Sequence, residues 1–143
     1  VNGVDVSAEV NGMIEAIHFD SGQEVLKGDL LVKLNDDIDQ ADLKNQQAKL
    51  KFAKSSYDRD HDLFKKNATS KSALDKAEAG LMQAEAFVER TQALIDKKHI
   101  KAPFSGKLGL RQIDIGQNIQ AGTPIVNIQS LKPLHVLFSL FLF

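Results

Sequence analysis

The side chains able to do chemistry in this chain are scattered. Its four histidines are His18, His61, His99 and His135. No two stand at the spacing that sets a pair of metal ligands on one helix or strand. Asp36, Asp37, Asp39 and Asp42 form the densest carboxylate cluster. Paired carboxylates can divide acid and base roles, but these fall where a helix begins, and there acids cap the helix and suit its dipole. There is no nucleophile with a base, no P-loop and no G-x-G-x-x-G. The absence of Cys excludes disulfides, thiol catalysis and Cys-based metal sites. The expectation is a protein that is not an enzyme, with no metal and no cofactor.

Arg59, Leu63 and Ser70 offer another kind of chemistry. Arg59 and Leu63 are four apart and share a helix face. A planar multi-donor guanidinium, an apolar knob and a small hydroxyl together suit docking to another protein. Each has a plainer use. Arg59 can pair with Asp58 or Asp62, Leu63 can join a helix seam beside Phe64, and Ser70 can simply cap a helix.

The elements that would position these residues are legible. From Ile38 to Lys66 there is neither Gly nor Pro, and Leu43, Leu50, Tyr57 and Phe64 recur every seven residues. Asn35, Asp36 and Asp37 are candidate N-caps. After Asn67-Ala68-Thr69-Ser70 a second helix is expected, with Ser72 and Asp75 as a capping-box-like start. Its heptad columns are Leu74, Leu81, Val88, Ile95 and Ala77, Ala84, Thr91. Each helix of about 28 residues would be about 42 Å long. The short link predicts an antiparallel coiled-coil hairpin over 36–98. Residues 36–99 hold 12 Lys plus Arg and 12 Asp plus Glu, interleaved. With a net charge of −1 for the whole chain, that surface suits solvent or protein contact rather than nucleic acid.

The flanking segments are two copies of one pattern. Ala8, Gly12, Gly22, Gly28 and Leu34 return 94 positions later as Ala102, Gly106, Gly116, Gly122 and Ile128. Asp20, Gln23 and Val32 return as Asp114, Gln117 and Val126. Short apolar alternations between glycine-marked turns predict β structure in both copies. The repeated Asp20 and Asp114 suggest side-chain to backbone bonding in equivalent turns. The six glycines, Gly12, Gly22, Gly28, Gly106, Gly116 and Gly122, are read as turn glycines. The fold class expected is α+β. A discontinuous β domain (1–35 and 99–131) is split by the helical hairpin, and 132–143 begins a further, truncated β-barrel domain. The tail Val136–Phe143 is the longest apolar run and is too short to span a bilayer. Val1 opens in mid-pattern, which suggests a piece of a longer protein, with any targeting segment upstream.

The half-motif from Gly12 to Leu34 resembles half of a biotinyl/lipoyl-type domain, and Ile100 to Gly122 resembles the other half. Two such halves around a helical hairpin resemble the periplasmic membrane fusion (adaptor) proteins of tripartite efflux pumps. The resemblance covers essentially the whole chain. It implies a lipoyl-like β-sandwich (barrel-sandwich hybrid) and an adaptor bridging an inner-membrane transporter, of resistance-nodulation-division (RND) type, to an outer-membrane channel. It also implies self-association into a ring, trimer or hexamer, in the full-length protein. The location implied is the periplasm of a Gram-negative bacterium, with anchoring to the inner membrane through segments outside this chain. Adaptors for TolC-type channels carry Arg-x3-Leu-x6-Ser around the hairpin tip, matched by Arg59, Leu63 and Ser70. Alternatives are a type I secretion or ABC-type efflux adaptor, and a carrier domain modified on a lysine. Lys33 lies near the carrier junction, but a long insert replaces the tight turn that would present it.

Overall fold

Each strand of the first half has a counterpart in the second. The computed structural model describes residues 3–131. Strands β1 (Gly3–Ser7), β2 (Gly12–Ile17), β3 (Glu24–Val25) and β4 (Leu30–Leu34) precede helices α1 (Asp37–Lys65) and α2 (Lys71–Lys97). Strands β5 (His99–Lys101), β6 (Gly106–Leu108), β7 (Asn118–Ile119) and β8 (Pro124–Ser130) follow. The protein is therefore α+β. It divides into two compact units, one formed by the segments before Asp36 and after Ile95, the other by Asp36–Ile95. The proposed domain start at 132–143 lies outside the described residues.

The β unit holds two four-stranded sheets, ordered β1-β8-β6-β3 and β5-β4-β2-β7. The 94-residue offset carries one order into the other, strand for strand. Each sheet takes two strands from each copy of the repeat, so neither copy closes a sheet alone. All the pairings are antiparallel. The core follows the same symmetry. Ile14, Leu31, Val32 and Leu34 are fully buried beside Leu108, Ile125, Val126 and Ile128. Phe19 and Ile113, again 94 apart, are buried too and extend the repeat. Each such side chain contributes roughly 1.5–3 kcal/mol on burial.

Paired hydrogen bonds show why particular residues recur. The Asp20 amide donates to Gln23 Oε1 at 2.9 Å, and the Asp114 amide to Gln117 Oε1 at 3.1 Å. The repeated glutamine thus closes the turn. This corrects the expectation for the aspartates, which contribute their backbone. Ser105 Oγ accepts from the Lys27 amide at 2.9 Å, and the equivalent Asn11 Oδ1 from the Ala121 amide at 2.7 Å. Gly22, Gly28, Gly116 and Gly122 sit at φ between 81° and 91°, a left-handed region that favours residues without Cβ. Gly12 and Gly106 are not turn glycines: they open β2 and β6. Their smallness answers close packing. A Cβ on Gly106 would lie 2.3 Å from the Gln129 carbonyl oxygen, and one on Gly12 would lie 3.1 Å from Leu34 Cδ1.

α1 has no fully buried residue, and α2 has only Leu74 and Ile95. Half-buried positions in α1 include Leu43, Gln46, Leu50, Ala53 and Tyr57; those in α2 are Ala77, Leu81, Ala84, Val88 and Thr91, between Leu74 and Ile95. Steps of three and four alternate, the spacing of a narrow apolar stripe. A shallow groove of about 270 Å³ is lined by Gln46, Lys49 and Ala53 of α1 and Gly80, Gln83, Ala84 and Phe87 of α2. Lys71 Nζ stands 5.8 Å from the Phe64 ring centroid. These contacts place the helices alongside each other with opposite directions. Phe64, expected in the seam, is 36% exposed. Phe64 stands in the last turn of α1, where Lys71 of the first turn of α2 lies over its ring, and the neighbouring Leu63 is half-buried.

Candidate functional site

The site expected at Arg59, Leu63 and Ser70 is built around the link between the helices. α1 ends at Lys65 with Lys66 as its C-cap, and Asn67 follows at φ 58°. The Ala68 amide donates to the Leu63 carbonyl at 2.7 Å and the Asn67 amide to the Phe64 carbonyl at 3.0 Å. This is the doubly bonded Schellman ending, and Asn is one of the few residues besides Gly that accepts the left-handed position. An Asn just after Lys65-Lys66 is a helix C-terminal signal in its own right.

On the far side of the link, Ser70 Oγ accepts from the Ala73 amide at 3.0 Å. Ser70 is therefore the N-cap of α2. The expected start at Ser72 and Asp75 is two residues late: both lie inside the helix, and Asp75 pairs with Lys71 at 3.1 Å. Capping uses the lone pairs of the Ser70 hydroxyl and leaves its proton to donate elsewhere.

Leu63 and Ser70 thus flank one short, doubly capped link, and Arg59 stands one helical turn back along α1. Arg59 is exposed, and among the described residues it forms no ion pair. The plainer reading of Arg59 as a partner of Asp58 or Asp62 is not realised here. Nearby, the Tyr57 and His61 rings are 5.8 Å apart and tilted by 32°.

The other candidate chemistries fall elsewhere. Lys33 lies within β4, its Nζ 2.6 Å from Glu15 Oε2, and β4 leads into the helices, not into a tight turn. Asp36 occupies the N-cap position of α1, is 3% exposed, and accepts from Gln40 Nε2 at 3.1 Å; its carboxylate makes no cap bond. His18 follows β2 and its amide donates to the Leu31 carbonyl at 2.8 Å. His99 opens β5 opposite Lys33, and His135 lies outside the described residues. Among the described residues no group of three or more His, Cys, Asp or Glu is placed to hold a metal ion, and no helix is long and apolar enough to cross a membrane.

A two-sheet β unit of interlocked repeats, interrupted by two long helices, defines a class. The chain belongs to the RND-type membrane fusion proteins: the family described as RND MFP, barrel-sandwich hybrid domain, matches residues 2–130. Multidrug resistance protein MdtA of Proteus mirabilis is 36% identical over 98% of this chain and 38% of its own length. MdtA of Xenorhabdus bovienii is 38% identical over 97% of this chain and 38% of its own. An uncharacterized protein of Haemophilus influenzae is 33% identical over 96% of this chain and 36% of its own. The chain thus spans little more than a third of these relatives. Among solved structures, a MacA-MexA chimera carrying the Pseudomonas aeruginosa MexA α-hairpin domain superposes with a TM-score of 0.87 at 30% identity, over 92% of this chain and 49% of that one.

Proposed function

We propose that this chain is the lipoyl-like and hairpin portion of a periplasmic adaptor. It would join an inner-membrane transporter of RND type to a TolC-type outer-membrane channel for drug or small-molecule export. The observation that carries this reading is the capped link between α1 and α2, with Arg59, Leu63 and Ser70 around it. A short link held by a Schellman ending and an N-cap is a firm tip on which to present a multi-donor cation, an apolar knob and a free hydroxyl proton. Membership of the membrane fusion family supports an efflux role, and the names of the MdtA relatives support multidrug resistance.

In this reading α1 and α2 form a coiled-coil hairpin domain over 36–98, and 132–143 starts a β-barrel domain. Several copies stand side by side around a lumen, and the chain does no chemistry. The location is periplasmic, with anchoring to the inner membrane through other segments. Type I secretion and ABC-type efflux adaptors share the outline. A carrier role fits less well, since Lys33 sits in a strand and is paired with Glu15.

The test is Arg59→Asp with Leu63→Asp in the full-length protein, scored by drug susceptibility of a strain lacking the native gene. Loss of resistance at normal expression is the expected outcome. Unchanged resistance would sink the docking assignment.

A further inference from the structure

Two departures from the helix pattern meet at one groove. Gln46 holds a half-buried place in the apolar stripe of α1, between Leu43 and Leu50. A polar residue in such a seam lowers stability. Gly80 lies inside α2, and glycine is the weakest helix former after proline. Both line the groove of about 270 Å³ between the helices. Local rules broken together are expected at functional places.

The lining has a definite chemical character. Ala53 and Ala84 are half-buried and give it a floor of small residues. The Phe87 ring, 42% exposed, stands beside them. Lys49, Gln46 and Gln83 bring an ammonium and two carboxamides. Among the described residues, Lys49 is the one charged residue of the lining, and it forms no ion pair. Gln46 and Gln83 form no side-chain hydrogen bond among those residues. A lysine has three donors and no acceptor, and each glutamine adds two donors. The polar groups therefore favour an acceptor-rich anion. The small floor and the Phe87 ring favour a flat apolar body, since aromatic pairs attract beyond the area they bury.

We propose that this groove binds a small aromatic carboxylate. Gln46 and Lys49 are three apart on α1 and share a face; together they hold the carboxylate. Gly80, Gln83 and Phe87 share a face of α2 in the same way and flank the ring, which lies in the opening that Gly80 leaves. A volume of about 270 Å³ is just below the usual range of small-molecule sites, about 300–1,000 Å³, so the guest has one or two rings. A partner helix is the poorer occupant. It would need a continuous apolar stripe to pack on, and this lining is broken by Lys49 and the two glutamines. A guest that touches both helices ties them together and adds its binding free energy to their stability. The site stands on the helix pair alone and does not rest on the adaptor reading.

The probe is 1-naphthoate, with neutral 1-naphthamide and cationic 1-naphthylmethylammonium as controls of similar shape. Ligand-observed NMR titrations on the purified full-length protein should show saturable binding of naphthoate, weaker binding of the amide and the weakest of the ammonium. Lys49→Gln should weaken naphthoate about two- to fivefold, the range of exposed charge pairs, and leave the amide unchanged. Lys54→Gln, at an exposed lysine outside the lining, should change neither. Gly80→Leu should abolish binding of both by filling the opening. A Cβ at Gly80 meets nothing within 4 Å, so the helix has room for the change, and retained helical circular dichroism checks that it does. If that signal is lost, the Lys49 and ammonium comparisons decide alone. Absence of saturable naphthoate binding, the result expected if the groove takes a protein helix, would overturn the site. So would equal binding of the ammonium, no selective loss in Lys49→Gln, or binding that survives Gly80→Leu. The efflux test of Arg59 and Leu63 reads a different place, so either reading can fail without the other.

Discussion

Gly12 and Gly106 hold equivalent places in the repeat, yet they tolerate change differently. A Cβ at 106 meets a backbone carbonyl at 2.3 Å, which cannot swing aside; a Cβ at 12 meets the Leu34 side chain at 3.1–3.2 Å, where a shift of a few tenths of an ångström suffices. Gly106→Ala should cost about 1–3 kcal/mol in a urea unfolding curve, the usual range for overpacking, and Gly12→Ala clearly less. Ser70 allows a sharper separation of roles. Ser70→Ala removes the bond from the Ala73 amide and should lower thermal stability by about 1 kcal/mol. Ser70→Asp keeps an acceptor for that amide but loses the hydroxyl proton. It should leave stability near the parent value and still weaken drug resistance if the hydroxyl donates to a channel. The glycine spacing was visible in the sequence. The reason for each glycine was not, because a need for φ > 0 and a need for no side chain leave the same letter. The glutamines were visible as repeats too, but nothing local said that Gln23, and not Asp20, supplies the side-chain bond.

At the scale of elements, Asn67 and Gly80 mark two ways a helix departs from its ideal sequence. Asn67 holds the left-handed residue of the α1 ending. Asn67→Gly should be close to neutral, and Asn67→Val should cost about 1–2 kcal/mol, the penalty of a branched side chain there, read by helical circular dichroism on heating. Gly80 lies within α2 with nothing inside 4 Å of a built Cβ. Gly80→Ala should therefore stabilise the helix by about 0.5–1 kcal/mol. A fall in melting temperature would show that the groove beside Gly80 needs its opening. The heptads made both helices legible, since an uninterrupted apolar stripe needs no tertiary partner to be recognised. Their ends were less so. Thr69, Ser70 and Ser72 near the link are all competent caps, and only the hydrogen bond selects Ser70 over Ser72.

At the scale of the molecule, the repeat announced two equivalent halves, and the core residues follow from it. What it did not announce is that the sheets exchange strands between halves, because pairing partners are not written in a one-dimensional offset. The buried cluster of the β unit lies wholly before Asn35 and after Lys98, and the Leu34 amide bonds to the Lys98 carbonyl at 2.8 Å. Residues 36–95 should thus be replaceable by a short Gly-Ser linker, leaving a β unit that unfolds cooperatively in denaturant. A non-cooperative product would mean that the helices are needed for the strands to hold. The exchange of strands has a consequence in time. Within the first half only β2 and β4 find each other; β1 needs β8 and β3 needs β6. During synthesis, the leading segment has half of two sheets and a whole of neither, while the helices need only neighbours close in sequence. Because non-local pairing is slow, the helices should form before the β unit. In pulse-labelled hydrogen exchange, the amides of α1 and α2 would gain protection ahead of those in β1 and β8. Until residue 130 arrives, the oldest part of the chain remains its least finished.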